Sequence, residues 1–372
     1  MFIGLFVYFL DCIPNLLYTQ DMTALHRVLV STKKLLVIGG IFFLILLFSP
    51  LLFGFSKSLK ESFFSTPPKP PTVEFGKVQK ILFIQNKFQN EVTNTSYIID
   101  TLSGTLPNLP DRVSVYKLMS NSPTLFSLQR AEKKVAKLGF PAKGISLSET
   151  LYQWNDQTTL KRKLVFDIIS SHFDLTSSFL KDSTVLEKKP YLLNEQASNM
   201  SKALFNQLAL PLDDIDQKKT KITNFSMVNN DLVPSISISD TDIIRVDFFQ
   251  KDIDKLPIVY PNPPFSSTYT LIAGGDSNGQ IVEAHYHHYS IDKTSATYPI
   301  ITSSEAIAKL QNRKAYIASY NGIDTEIKIK DIFLSYYLGV EDQQMLLPII
   351  VFQGTNGFFA YVPAVKNEWV QK

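Results

Sequence analysis

From about residue 120 onward, runs with an apolar residue every third or fourth position are separated by runs in which apolar and polar residues alternate. The first spacing places side chains on one helix face, and the second on one strand face. In NSPTLFSLQRAEKKVAKLGF, Leu125, Leu128, Ala131, Val135 and Leu138 keep the helical spacing. Ser122 is the expected N-cap, Pro123 suits the first helical position, and Gly139 supplies a left-handed residue after the last turn. A second helix is expected over residues 194–208, with Ala197, Met200, Ala203, Leu204 and Leu208 on its apolar face. A third opens at Thr302-Ser303-Ser304-Glu305, the spacing of a capping box, and continues with Ala306, Ile307 and Leu310.

Strands are expected at 145–154, 163–173, 220–228, 241–249, 269–273, 280–290, 314–320, 325–339, 346–353 and 358–362. The linker GGDSNG after Ala273 is rich in turn residues and suits a hairpin. Helix followed by strands thus recurs three times, in units at 73–190, 191–298 and 299–372. Each would lay a helix across an antiparallel sheet, an α+β class.

The N-terminal region has a different pattern. Residues 35–55 (LLVIGGIFFLILLFSPLLFGF) are uncharged and follow Lys33 and Lys34. A helix of that length spans a bilayer, so a single transmembrane helix acting as an uncleaved signal anchor is expected. Residues 1–34 would then be a cytoplasmic tail, or a shorter one if translation starts at Met22. Residues 56–72, with TPPKPPT, would be a semi-rigid linker. The basic residues before the run place the C-terminal domain outside a plasma membrane, with lipid contacting Leu35 to Phe55.

A formal net charge of +3 carries no polybasic surface for nucleic acid. The only cysteine is Cys12, so the region beyond residue 72 has no disulfide, thiol nucleophile or cysteine metal ligand. No G-x-S-x-G elbow, P-loop or Rossmann glycine pattern occurs, and no catalytic residue or cofactor is expected. The strongest chemical pattern is Glu283, His285 and His287 in QIVEAHYHHYS. Alternate residues of a strand share a face about 7 Å apart, and imidazoles so placed converge on one zinc ion if a carboxylate or a neighbouring strand completes the set. The same residues also suit a plain solvated strand face. His288 would point the other way with Ala284 and Tyr286, and His172 stands alone in the sequence. Asp252 and Asp254 fit an exposed turn before Pro257. The aromatic residues of the C-terminal third, among them Tyr336, Tyr337, Phe352 and Tyr361, fit sheet and core.

Four consecutive segments, TSSEAIAKLQN, KAYIASY, IKIKDIFLSYYLGV and LLPIIVFQGTNGFFAYVPAV, resemble the C-terminal domains of YycH/YycI-type regulatory proteins, which are related to PepSY-like α+β modules. That resemblance implies an exterior domain of a single-pass bacterial membrane protein that modulates a membrane-bound sensor kinase by protein contact. It carries no functional residue over. The expected function is therefore a membrane-anchored binding or regulatory module, not an enzyme, that meets a membrane or envelope protein. The alternatives are a metal-dependent envelope hydrolase using His285 and His287, or a structural envelope protein.

Overall fold

The computed structural model describes residues 32–40, 70–85, 88, 95–156, 160–229, 231–275, 279–340 and 343–371. The chain divides into two units, Met1–Pro70 and Pro71–Lys372. In the first unit a helix is described over residues 32–40. The described part of that helix is nine residues, about 14 Å. Among the described residues no helix is long and apolar enough to cross a membrane. This corrects the expected span at 35–55, and with it the signal anchor and the single-pass plasma-membrane placement. Residues 41–55 of that run, Cys12 and the alternative start at Met22 lie outside the described residues.

The second unit is mostly β. In chain order its described strands are β1 (Ser96–Ile99), β2 (Arg112–Leu118), β3 (Ile145–Ser146), β4 (Leu151–Asn155), β5 (Lys163–Asp167), β6 (Phe173–Thr176), β7 (Lys221–Val228), β8 (Asp231–Pro234) and β9 (Ile243–Phe248). There follow β10 (Ile258–Val259), β11 (Thr268–Ala273), β12 (Gln280–Tyr286), β13 (Ile291–Pro299), β14 (Tyr316–Ser319), β15 (Glu326–Tyr337), β16 (Met345–Gly354) and β17 (Phe359–Pro363). Helices α1 (Ser127–Ala136), α2 (Asn194–Gln207) and α3 (Ser303–Gln311) lie between them. One sheet of nine antiparallel strands runs β3-β4-β5-β6-β12-β11-β9-β7-β8. A second, of eight strands, has the path β1-β15-β16-β17-β14, with β2, β10 and β13 joined to it.

The α+β expectation of three like units is corrected by this topology. Strand outweighs helix about two to one. β1 runs parallel to β15 and β2 pairs β16, so strands from 73–190 join strands from 299–372. β12 pairs β6, which merges the first and second expected units into one sheet. Apolar periodicity fixes the conformation of a segment, but the strand beside it is a long-range choice that the period does not encode.

Local signals read from the chain appear in part: α1 starts at Ser127, four residues after Pro123, and is not capped by Ser122. Thr302 Oγ1 accepts the Glu305 N–H at 3.2 Å and Glu305 Oε2 accepts the Thr302 N–H at 2.7 Å, closing the capping box of α3. Gly139 follows α1 with φ of 84°. α1 and α2 cover one face of the nine-stranded sheet, where Trp154, Phe166, Phe173, Phe205 and Tyr286 form the core. Each such ring contributes about 2–3 kcal/mol by leaving water. Tyr336, Tyr337, Phe352 and Tyr361 are buried in the other sheet, as their sheet-former reading anticipates.

β11 and β12 are joined through residues 274–279, and the first glycine there has a packing reason. A Cβ on Gly274 would lie 1.6 Å from the Lys188 carbonyl oxygen, a backbone atom that cannot swing aside. Gly274→Ala should therefore destabilise the chain by about 3 kcal/mol or more, read by urea unfolding. Gly76→Ala meets no neighbour and differs mainly through its positive φ, so it should cost less.

Candidate functional site

The face of the nine-stranded sheet opposite α1 and α2 carries a row of side chains set by strand register. Gln153 faces Val165, and Val165 faces Asp174. Asp174 faces His285, and His285 faces Tyr269. Tyr269 faces Asp247, and Asp247 faces Lys221. Directly opposed residues have Cβ atoms about 5 Å apart, so the row brings polar groups from distant segments into contact. The alternation that puts them here puts Phe173, Leu175, Ala284, Tyr286, Ile244 and Val246 into the core on the other face.

His285 is the centre of the row. Its Nδ1 lies 2.5 Å from Asp174 Oδ1 and its Nε2 lies 2.7 Å from Glu283 Oε1. His287 Nε2 reaches the same Asp174 oxygen at 2.9 Å. Tyr269 donates its hydroxyl to Glu283 Oε1 at 3.1 Å and stacks on the His285 ring, with centroids 4.5 Å apart. On its other neighbour's side the Tyr269 ring receives the Arg245 guanidinium, 3.6 Å from its centroid. Arg245 in turn grips the fully buried Asp247 with contacts of 2.8 to 3.0 Å. Ser266 N–H donates to Asp247 at 2.9 Å, so that carboxylate is satisfied although burial pushes its pKa up.

Electrostatics around His285 follow from this geometry. Burial opposes its charge, but the hydrogen bonds and charges of Asp174 and Glu283 outweigh burial and raise it to about 9. Asp174 is also penalised by burial, yet the His285 and His287 hydrogen bonds hold it well below the usual carboxylate range. His285 is therefore an imidazolium between two carboxylates at neutral pH.

The expected trio is brought together with a changed arrangement. Glu283 meets His285 but not His287, and the carboxylate shared by both histidines is Asp174 of β6. Asp174, His285 and His287 place one ligand atom each within 4.8 Å of one another, a set able to hold a metal ion. His288 points to the other side as anticipated, and its Nε2 lies 2.6 Å from Asp214 Oδ1. His172 is not alone in space: its ring lies 5.5 Å from that of His287 and 4.6 Å from that of Tyr289, and its Nε2 lies 2.8 Å from the His288 carbonyl oxygen. Burial, the largest influence, lowers it to about 4.

Asp174 and His172 were missed because residues 163–173 read as one unbroken strand. A turn splits that run: Asp167 Oδ1 accepts the N–H groups of Ile169 and Ser170, and Ser171 has φ of 66°. The sequence Asp167-Ile168-Ile169-Ser170-Ser171 carries the signal, an aspartate that bonds the backbone two residues on. Asp252 pairs with Lys219, and Asp254 accepts the Tyr116 hydroxyl at 2.6 Å in a turn, as expected of them. Four cavities of about 310 to 500 Å³ are described, and none is lined by Asp174, Glu283, His285 or His287.

No family model matches the chain. No curated protein matches it either. Among solved structures it is similar to an uncharacterized protein from Eubacterium rectale ATCC 33656, with 14% identity, 76% of this chain and 97% of that one covered, and a TM-score of 0.40. It is also similar to the C-terminal domain of YpeB from Bacillus megaterium, with 10% identity, 67% and 100% covered, and a TM-score of 0.30. At such scores neither likeness argues for a fold assignment or a function.

The two shifted histidines give a signed pH dependence. His285 is raised above its unfolded value near 6.5, so its stabilisation is full below that pH and is lost as pH rises through about 9. His172 is lowered, so its contribution is full above about 6.5 and is lost as pH falls towards about 4. With chelator present, His285→Gln should flatten the alkaline limb of unfolding free energy against pH, by about 2 kcal/mol, and leave the acid limb. His172→Gln should do the reverse. Urea unfolding from pH 4 to 9.5 measures both.

Proposed function

We propose that the Pro71–Lys372 unit is a binding module that acts by contact with another protein, and that the contact is made at the β8 edge of the nine-stranded sheet. The observation that carries this reading is a set of exposed aliphatic residues at and beside that edge: Val233 on β8, Val228 at the end of β7, and Ile236 and Ile238 in the segment that follows β8. Val228, Val233, Ile236 and Ile238 are 48%, 43%, 106% and 71% exposed. β8 ends the strand order, so its outer backbone groups have no strand beside them among the described residues. Sheet edges are usually guarded by lysine, proline or a bulge. Here Pro234 and Asp231 are the guards, and no lysine or arginine occurs from Val228 to Asp242. An open edge that is apolar and acidic suits an extended partner segment in which apolar and basic residues alternate, added as a further strand.

A regulatory purpose for that contact is supported by the resemblance of residues 302–365 to YycH/YycI-type proteins.

A photo-crosslinking residue at position 233 of the full chain, expressed in its own cell, tests this. The expected product joins it to an extended, basic segment of a different protein. Val233→Lys with Ile236→Lys should abolish that product while shifting the unfolding midpoint by little, since both residues are exposed. A crosslink to a second copy of this chain, or one that survives the double substitution, contradicts the proposal.

A further inference from the structure

We propose that Asp174, His285 and His287 form a binding site for one divalent transition-metal ion of the zinc type. This does not depend on the β8 edge contact.

The donor set fits in number, kind and place. Two imidazoles with one carboxylate suit zinc and its neighbours rather than calcium or magnesium, which take mainly oxygen. The three ligand atoms already lie within 4.8 Å of one another. A tetrahedral ion with ligands at about 2.0–2.1 Å holds them about 3.4 Å apart. Asp174 Oδ1 now sits 2.5 Å and 2.9 Å from the two nitrogens, so admitting an ion requires the carboxylate to back away by about 1 Å. Its side chain is 41% exposed and has solvent to move into. The same opening lets water supply a fourth ligand.

The surrounding residues prepare His285 for this role. When Nδ1 binds a metal, Nε2 must carry the proton and needs an acceptor. Glu283 Oε1 lies 2.7 Å from Nε2, the outer carboxylate that orients a metal-bound histidine and raises its donor strength. Tyr269 steadies that carboxylate through its hydroxyl and the imidazole through its ring. Asp174 and His285 face each other on paired strands, so two of the ligands stand on rigid elements. The ion pairs described for Asp174 and Glu283 are with histidines alone, so a metal would meet two carboxylates with no competing lysine or arginine bonded to them.

The place of the site gives binding a structural consequence. His287 stands just past the end of β12, where the chain leaves the nine-stranded sheet for β13 of the other. A metal here would tie that crossover to β6.

Zinc titration of the metal-stripped full chain against a competing chelator, with stoichiometry by elemental analysis, tests the proposal. One equivalent should bind. Asp174→Asn and His287→Ala should each weaken binding by at least about 100-fold, and Glu283→Gln by about 10- to 100-fold with unchanged stoichiometry. Binding well below one equivalent, or unchanged affinity in the doubly substituted His285→Ala, His287→Ala chain, overturns the site. Should a variant fail to fold, the native chain still decides: one equivalent of cobalt(II) should broaden the ring signals of His285 and His287, and signals that stay sharp overturn the proposal.

Discussion

A charged group held between strands must find its partner there, because the water that would solvate it has been displaced. That constraint shapes the face of the nine-stranded sheet opposite α1 and α2. Arg245 and Asp247 meet in contacts near 3 Å, and the aspartate is shut off from solvent. Removing one partner of such a pair costs about 3–5 kcal/mol, since the other is left buried and unmatched. Along the row the Tyr269 ring separates the Arg245 guanidinium from the His285 imidazolium, and each cation has a carboxylate of its own. Charges of one sign are thereby spaced by an aromatic face, which itself attracts cations.

The same region holds the two sheets in relation. Gln250, just beyond β9, donates to Asp214 at 2.7 Å and to the Tyr289 carbonyl at 2.9 Å. Its own N–H reaches the Tyr260 hydroxyl at 3.1 Å. Asp214 also pairs with His288, on the segment that crosses from β12 to β13. His172 bonds the carbonyl of that histidine. Four of the chain's five histidines therefore gather at one crossover, two on the row side and two around Asp214 and Tyr289. A change at the row has a short path of bonded groups to the eight-stranded sheet.

Much of the local structure was legible in the chain. The alternation in QIVEAHYHH assigns Glu283 and His285 to one face and Ala284, Tyr286 and His288 to the other, because strand side chains have a strict period of two. Thr302 and Glu305 mark the start of α3 because their bonds are local. The partner of His285 was not legible, since Asp174 lies 111 residues away and enters only through strand register. Pairing of β1 with β15 was hidden for the same reason. Apolar length alone also misled at residues 35–55, where no described helix reaches membrane-spanning length.

The row of polar residues is held together at the His285 imidazole, between Asp174 and Glu283. Histidine ring signals followed by NMR across pH in the metal-free full chain test this directly. His285 should titrate near pH 9 and His172 near pH 4. Titration of both near the ordinary value of about 6.5 would contradict the placement of His285 between two carboxylates and of His172 away from solvent.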